Sequence, residues 1–251
     1  MDLRHTALNG LNLKGKAILE IGPLNRPLVP RSVGKVYYAD HCSTEDLKKK
    51  YHGNPDVPEQ DICSVDINLL ERTLPDAGKD FGPFDFVVAS HVIEHVPNLV
   101  GWLRDIHAVL QNGGVLALVI PDKRYTFDFF RRDTEAWMID EAEAEQRWRP
   151  SLRQVIDHFT NIVHADCGAL WSNVGASSNF RPQIAAEAIE GLIAQYQAGK
   201  YIDTHCWMFR PDSFKPLLEE VFRRYQIGFK VGRIVPTPFN QLEFYSQLTK
   251  I

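Results

Sequence analysis

Two rhythms of apolar positions alternate along the first half of the chain. Phe84–Ser90 (FDFVVAS) is a nearly continuous apolar run, the pattern of a strand covered on both faces. Leu99, Trp102, Leu103, Ile106 and Leu110 then recur at helical spacing, and Pro97 suits a first helical turn. Asn112-Gly113-Gly114 stops that helix, and residues 115–120 (VLALVI) read as a second buried strand. Strand, crossover helix and strand predict a parallel unit. Upstream, residues 16–21 (KAILEI) predict a strand that ends at Gly22 and carries Glu20 within it. Lys35–Asp40 predicts the next strand, and Ser43-Thr44-Glu45-Asp46 a capped helix start leading into LKKKY.

Beyond Asp122 the rhythm changes. Residues 135–148 (EAWMIDEAEAEQRW) and 182–199 (PQIAAEAIEGLIAQYQAG) are amphipathic and helix-favouring, and the segment between them is rich in His, Asp, Asn and aromatic residues. A further helix is expected over 213–225, and sheet-like sequence returns only at 227–235 and 242–248. The short connection through Pro236 and Pro238 favours a hairpin, so the last strand is expected to run antiparallel. The pattern predicts an α/β fold: a Rossmann-like, doubly wound, seven-strand sheet. Its core comprises residues 1–122 and 207–251. Residues 123–206 form a mainly helical insertion, read as a lid over the substrate pocket, with a distal assembly arm as the alternative.

In open α/β sheets, ligands bind at the carboxyl edge of the strands. Ser90, His91, Glu94 and His95 fall where one strand hands over to its helix. Asp40 closes a strand about 18 residues beyond Gly22, the spacing at which such folds place an acid on a ribose diol; a helix or turn cap is the plainer reading. The row IGPLNRPLV contains one glycine and no clean helix start, so it offers no pyrophosphate cradle, and a nicotinamide enzyme is not expected.

Glu20-Ile21-Gly22, Asp40, Asp66-Ile67, the FDFVVASHVIEHV run and Gly113-Gly114 before VLALVIP together resemble a class I S-adenosylmethionine-dependent methyltransferase. The resemblance is strong over about residues 14–122 and weaker over 207–251. It implies S-adenosylmethionine as cofactor. Asp40 would sit on the ribose hydroxyls, Asp66-Ile67 beside the adenine (with Asp61 as the alternative acid), and Gly22 close to the methionine tail. Glu20, Pro23, His41 and Ser90 complete the expected cofactor site. The chain departs from the family where Gly-x-Gly is usual: Gly22-Pro23-Leu24-Asn25-Arg26-Pro27 forbids an ordinary long helix after the first strand. Arg26 is read either as a partner of the methionine carboxylate or as a solvated surface charge.

The expected reaction is O-methylation of a small molecule, lipid or sugar, with N-methylation or a catalytically silent cofactor-binding scaffold as alternatives. The absence of (Asp/Asn)-Pro-Pro-(Tyr/Phe) after the fourth strand argues against amide and adenine N-methylation. The absence of a Pro-Cys pair argues against covalent cytosine chemistry. Methyl transfer from a sulfonium is an in-line displacement in which alignment can supply roughly 7–11 kcal/mol. A hydroxyl acceptor also needs a base, and His95 or His91 is the expected group, with Glu94 orienting it. His91-x-x-Glu94-His95 matches a spacing known from zinc peptidases, but a strand-to-helix junction is the wrong setting for that chemistry. The run is nearer to ubiquinone-pathway and small-RNA O-methyltransferases, which carry Glu-x-x-Glu-His and bind a divalent metal. Here His91, Glu94 and His95 would be the ligands. His91 in place of the first Glu favours a softer ion than magnesium, and a metal-free site is the other reading.

His158, His164 and His205 lie beside acids and aromatic residues and are second candidates for the pocket, or ordinary core and cap histidines. Lys123, Arg124 and Tyr125 follow the fifth strand, where they would meet an acceptor anion or remain loop charges. The 251 residues are 44% hydrophobic, enough for one large domain with a lid. With 28 Lys and Arg against 32 Asp and Glu and no long basic cluster, nucleic-acid binding is not indicated. No run approaches a membrane span, and Cys42, Cys63, Cys167 and Cys206 form no Cys-x-x-Cys pair. A cytoplasmic protein with reduced thiols is expected.

Overall fold

The computed structural model describes residues 2–164, 166–172 and 184–251. Seven strands form one sheet: β1 (Ala17–Ile21), β2 (Lys35–Asp40), β3 (Ile67–Asn68), β4 (Phe84–Ser90), β5 (Leu110–Pro121), β6 (Phe229–Val235) and β7 (Glu243–Lys250). Their spatial order is β3-β2-β1-β4-β5-β7-β6. β1 pairs in parallel with both β2 and β4, and the chain reverses sheet direction at that point. β7 lies antiparallel between β5 and β6, so the antiparallel last strand and the doubly wound sheet are both borne out.

Local chemistry explains most boundaries. Ser43 caps α1 (Thr44–Lys50) by accepting the Asp46 N–H, and acids precede lysines along it, complementing the helix dipole. Thr73 caps α2 (Leu74–Phe81) in the same manner. α3 (Leu99–Val109) starts later than Pro97, because the Asn98 side chain caps it through the Gly101 N–H at 3.0 Å. β5 begins before the Asn-Gly-Gly turn and takes it in as an irregularity. Gly113 there has φ +75°, and a Cβ on Gly114 would lie 2.8 Å from the Gln111 carbonyl.

Between β5 and β6 the chain forms α4 (Ala136–Ala144), α5 (Leu152–Asn161), α6 (Cys167–Trp171), α7 (Ala186–Gln197) and α8 (Pro211–Tyr225). The expected helix over 182–199 is described from Ala186; Pro182 and Gln183 lie outside the described residues. The segment 123–206 is not one unit. Ile139 and Ala142 of α4 are fully buried in the same cluster as Leu103 and Ile106 of α3 and Phe214 and Leu218 of α8. α4 therefore belongs to the helical layer on the sheet. No helix among the described residues is long and apolar enough to cross a membrane.

Candidate active site at the carboxyl edge

The cofactor end of the edge is built from short-range pieces. Gly22 follows β1 with φ +66°, and a Cβ would meet Val92 Cγ2 at 3.2 Å, so only glycine turns the chain here without strain. The proline-rich loop then folds back on its own strand. Both oxygens of buried Glu20 accept backbone N–H groups, from Leu28 at 2.7 Å and Val29 at 2.9 Å. Burial pushes the Glu20 carboxyl up to about 7, against the opposing pull of those two N–H donors. Glu20 thus holds the loop rather than presenting a free carboxylate. Pro23 is buried and Arg26 exposed.

Asp40 is 5% exposed at the end of β2. Its Oδ1 accepts from the His41 backbone N–H at 2.7 Å and faces His41 Nδ1 at 2.6 Å; no described residue donates to Oδ2. That oxygen is available to a diol. Asp66 and Ile67 differ from expectation. Asp66 precedes β3, its carboxylate taken by the Tyr38 N–H (2.8 Å) and Arg31 (2.7 Å), and Ile67 is wholly buried. The residue level with Asp40 at the edge is Asn68, with Leu69 N bonded to the Asp40 carbonyl at 2.8 Å. Asp61 sits in a 3-10 turn (Glu59–Asp61) ahead of both.

The other end is built from residues far apart in sequence. After Ser90 the chain takes a left-handed step at His91 (φ +55°) into the turn that holds Glu94 and His95. The extended stretch after Asp203 docks on that turn: the Cys206 N–H donates to the Glu94 carbonyl at 2.6 Å, and the Trp207 indole donates to the Val96 carbonyl at 2.7 Å. His205 is thereby carried beside His95, ring centroids 4.6 Å apart and perpendicular. His205 Nδ1 lies 2.5 Å from Asp128 Oδ2. Arg131, wholly buried, donates to Asp128 Oδ1 (2.8 Å), Asp157 (2.8 Å) and the His205 carbonyl (2.9 Å). Burial would raise the Asp128 carboxyl, but His205 and Arg131 hold it below the ordinary range.

Burial also disfavours a charge on His91, yet its contacts win. Nε2 lies 2.7 Å from Glu243, Nδ1 lies 3.5 Å from Glu94, and the pair of carboxylates lifts the imidazole to about 10. Both ring nitrogens of His91 are thus engaged by carboxylates, an arrangement that runs against the expected role of His91 as base. His95 is likewise raised, against burial, by Asp203 at 2.9 Å and by Glu94. Burial and then the Arg131 charge depress His158 to about 4, so it is neutral. The expected free charges after β5 are engaged: Arg124 grips Asp122 through two nitrogens, and Lys123 is tied to Asp133 and the Phe129 carbonyl.

A cavity of about 710 Å³, mainly apolar, opens at this end. His91, Pro121, Tyr125, Phe127, His158 and His205 line it, and exposed His164 stands at its rim. Tyr125 stacks flat on Trp171 of α6 at 3.8 Å. The structure therefore joins His91, Glu94, His95, His158 and His205 in one neighbourhood. The partners that tune them, Asp128, Arg131, Asp203 and Glu243, carried no signal beyond an acid two residues before His205.

The sheet's carboxyl edge thus carries a half-engaged buried carboxylate, Asp40, at one end and a mainly apolar cavity at the other, the layout of a Rossmann-like fold. The methyltransferase-domain family matches residues 3–221, and the chain belongs to that family. Most of the chain is therefore a methyltransferase domain. A highly reducing polyketide synthase 2 from Gibberella zeae is 26% identical over 117 residues, 45% of this chain and 4% of that protein. The chain thus spans only a small part of that curated relative. Among solved structures, one described as a Zn-dependent alcohol dehydrogenase from Rhodobacter sphaeroides matches with TM-score 0.53 and 13% identity, over 99% of this chain and 89% of that one. At that identity the likeness speaks to the fold alone. An S-adenosylmethionine-dependent methyltransferase from Listeria monocytogenes matches with TM-score 0.46 and 12% identity, over 98% and 97% of the two chains.

Proposed function

We propose that the enzyme methylates a hydroxyl of a small molecule, lipid or sugar held in the cavity between β4, β5 and α5. The observation that carries this reading is the Asp128–His205 pair. A buried carboxylate fixes Nδ1 of an imidazole at the cavity wall, which leaves Nε2 as its free nitrogen. A hydroxyl needs such a proton acceptor before attack on the methyl group, whereas an unprotonated amine does not. The site's proton-handling group is therefore His205, with Asp128 orienting it and Arg131 holding Asp128.

The cofactor lies along Gly22, Asp40, His41, Asn68 and Ser90 in this reading, with Asp40 Oδ2 on the ribose diol. The apolar walls and the Tyr125–Trp171 stack exclude water from the transfer. α5 and α6 act as the lid, a narrower one than the whole of 123–206. The test is transfer of labelled methyl from S-adenosylmethionine to fractionated metabolite, lipid and glycan extracts, with base-stability of the product separating ethers from esters. Label found only on amine-containing products would overturn the hydroxyl reading. Absence of any time-dependent transfer would favour a silent cofactor-binding protein.

A further inference from the structure

His158 and His205 share the cavity wall, their ring centroids 6.3 Å apart, and the Phe127 ring touches both, at 5.6 and 4.6 Å. The buried Arg131 behind them sets their protons in opposite senses. A guanidinium only donates, so its Nη1 contact at 3.4 Å makes His158 Nδ1 an acceptor with no proton of its own. Burial and then the Arg131 charge keep that ring neutral, so its one proton is on Nε2. An ionised carboxylate only accepts, so Asp128 at 2.5 Å places a proton on His205 Nδ1. Arg131 supports that arrangement as well, by donating to Asp128 Oδ1 at 2.8 Å.

Neither Nε2 bonds to a described residue, and neither is among the side-chain atoms sealed in the interior without a partner. The wall thus offers a lone pair at His205 and an N–H at His158. The lone pair is accounted for by the proton of the reacting hydroxyl. The N–H is not, and leaving it unpaired beneath a bound molecule would cost affinity. No lysine or arginine lines the cavity among the described residues, and its walls are mainly apolar. A neutral N–H in such walls suits a neutral oxygen, whereas a carboxylate would be buried without a cation.

We propose that the acceptor is an uncharged aryl or enol compound whose reacting hydroxyl neighbours a carbonyl or ether oxygen, and that His158 Nε2–H is the specificity-determining donor to that second oxygen. Two hydrogen bonds of about 2.8 Å, one at each imidazole, fit oxygens on neighbouring carbons between rings so spaced. An imidazole base is well matched to a phenol-like proton, with a pKa of about 10, and poorly to an aliphatic alcohol. Phe127, Pro121 and Val163 supply apolar walls for a flat ring. During transfer the hydroxyl proton passes to His205 Nε2, and the oxygen lone pair bonds the methyl carbon. The carbon–sulfur bond breaks with its electron pair left on sulfur, and His158 keeps its proton. The pairing of oxygens rests on the hydroxyl reading proposed above; the two tautomers do not.

The experiment uses the full chain saturated with S-adenosylhomocysteine. Long-range ¹H–¹⁵N spectra of ¹⁵N-histidine protein should show His158 as the neutral Nε2–H form and His205 with its proton on Nδ1. Calorimetry then compares ortho-hydroxyacetophenone, phenol and salicylate as probes. The ketone should bind about tenfold or more tightly than phenol, and salicylate no more tightly than phenol. His158→Phe should bring ketone and phenol within about twofold of each other, whereas His158→Gln, which keeps a donor, should retain most of the preference. S-adenosylhomocysteine binding by each variant reports an intact fold. An Nδ1–H form of His158, no saturable binding of the ketone at millimolar concentration, equal affinity for ketone and phenol, or a preference that survives His158→Phe would overturn the proposal. Labelled methyl reaching ketone and phenol equally would overturn it and leave the hydroxyl reading standing; failure of that reading shows instead as label on amines alone.

Discussion

The two ends of the carboxyl edge are assembled in opposite ways. At the cofactor end, partners lie close along the chain: Glu20 with Leu28 and Val29, Asp40 with His41. At the acceptor end, bonds join residues far apart: His91 with Glu243 across 152 positions, His95 with Asp203 across 108 and His205 with Asp128 across 77. The first end is a property of successive strand–loop units and so is common to many proteins with this sheet. The second exists only once β7 and the 203–207 stretch have packed against the β4 turn. A scaffold acquires its particular chemistry where such long connections meet.

The sharpest way to break this contrast is Arg131→Met. Arg131 is the buried hub of the acceptor end, and its loss strands the Asp128 carboxylate in the interior. A destabilisation of about 3–5 kcal/mol is expected in denaturant titrations. Loss below about 1 kcal/mol would mean that the hub is not cooperative with the fold. Asp40→Ala probes the other end and should leave the fold intact. It removes a charge-assisted bond to the ribose, about 1.5–3 kcal/mol, so the Kd for S-adenosylhomocysteine should rise roughly ten- to a hundredfold. An unchanged Kd would move the ribose elsewhere.

Glu20→Gln distinguishes anchor from ligand. Its amide would point N–H toward a backbone N–H of the loop, costing about 1–3 kcal/mol of stability. The wild type adds a pH signature. Burial raises the Glu20 carboxyl from 4.5 to about 7, so its contribution is present in full below pH 4.5 and is lost as pH rises through 7. The pH dependence of the unfolding free energy should lose this component between pH 4.5 and 7 in Glu20→Gln. A variant with the same slope there would show that another group carries it. The smallest effect is expected from Gly22→Ala: about 1–2 kcal/mol of left-handed strain, together with weaker cofactor binding through the Val92 contact. A neutral result would show that the loop can shift.

Much of the sheet was readable in advance because strands covered on both faces leave continuous apolar runs, as in FDFVVAS and VLALVI. The reversed last strand was readable because Pro236 and Pro238 leave too short a connection for a crossover. β3 leaves almost no pattern in the sequence. It has only two residues, Ile67 and Asn68, so no periodicity marks its end, and Asn68 rather than Asp66 lies level with Asp40. Amphipathic helices covering a sheet and covering a pocket have the same spacing, so only packing against α3 and α8 places α4 on the sheet.

Sequence by itself determined the class of the fold, the ends of β1 and β2 and the departure from an ordinary glycine-rich loop. Each is local: apolar period, proline geometry and the special φ of Gly22 act over a few residues. Tertiary structure alone decided which charges surround each histidine. His91, His95, His158 and His205 are the same side chain in sequence. Glu243 with Glu94, Asp203 with Glu94, the Arg131 guanidinium and the buried Asp128 give them four different environments. Proton affinity depends on charges within a few ångströms, and the fold brings those charges from positions the chain order does not connect.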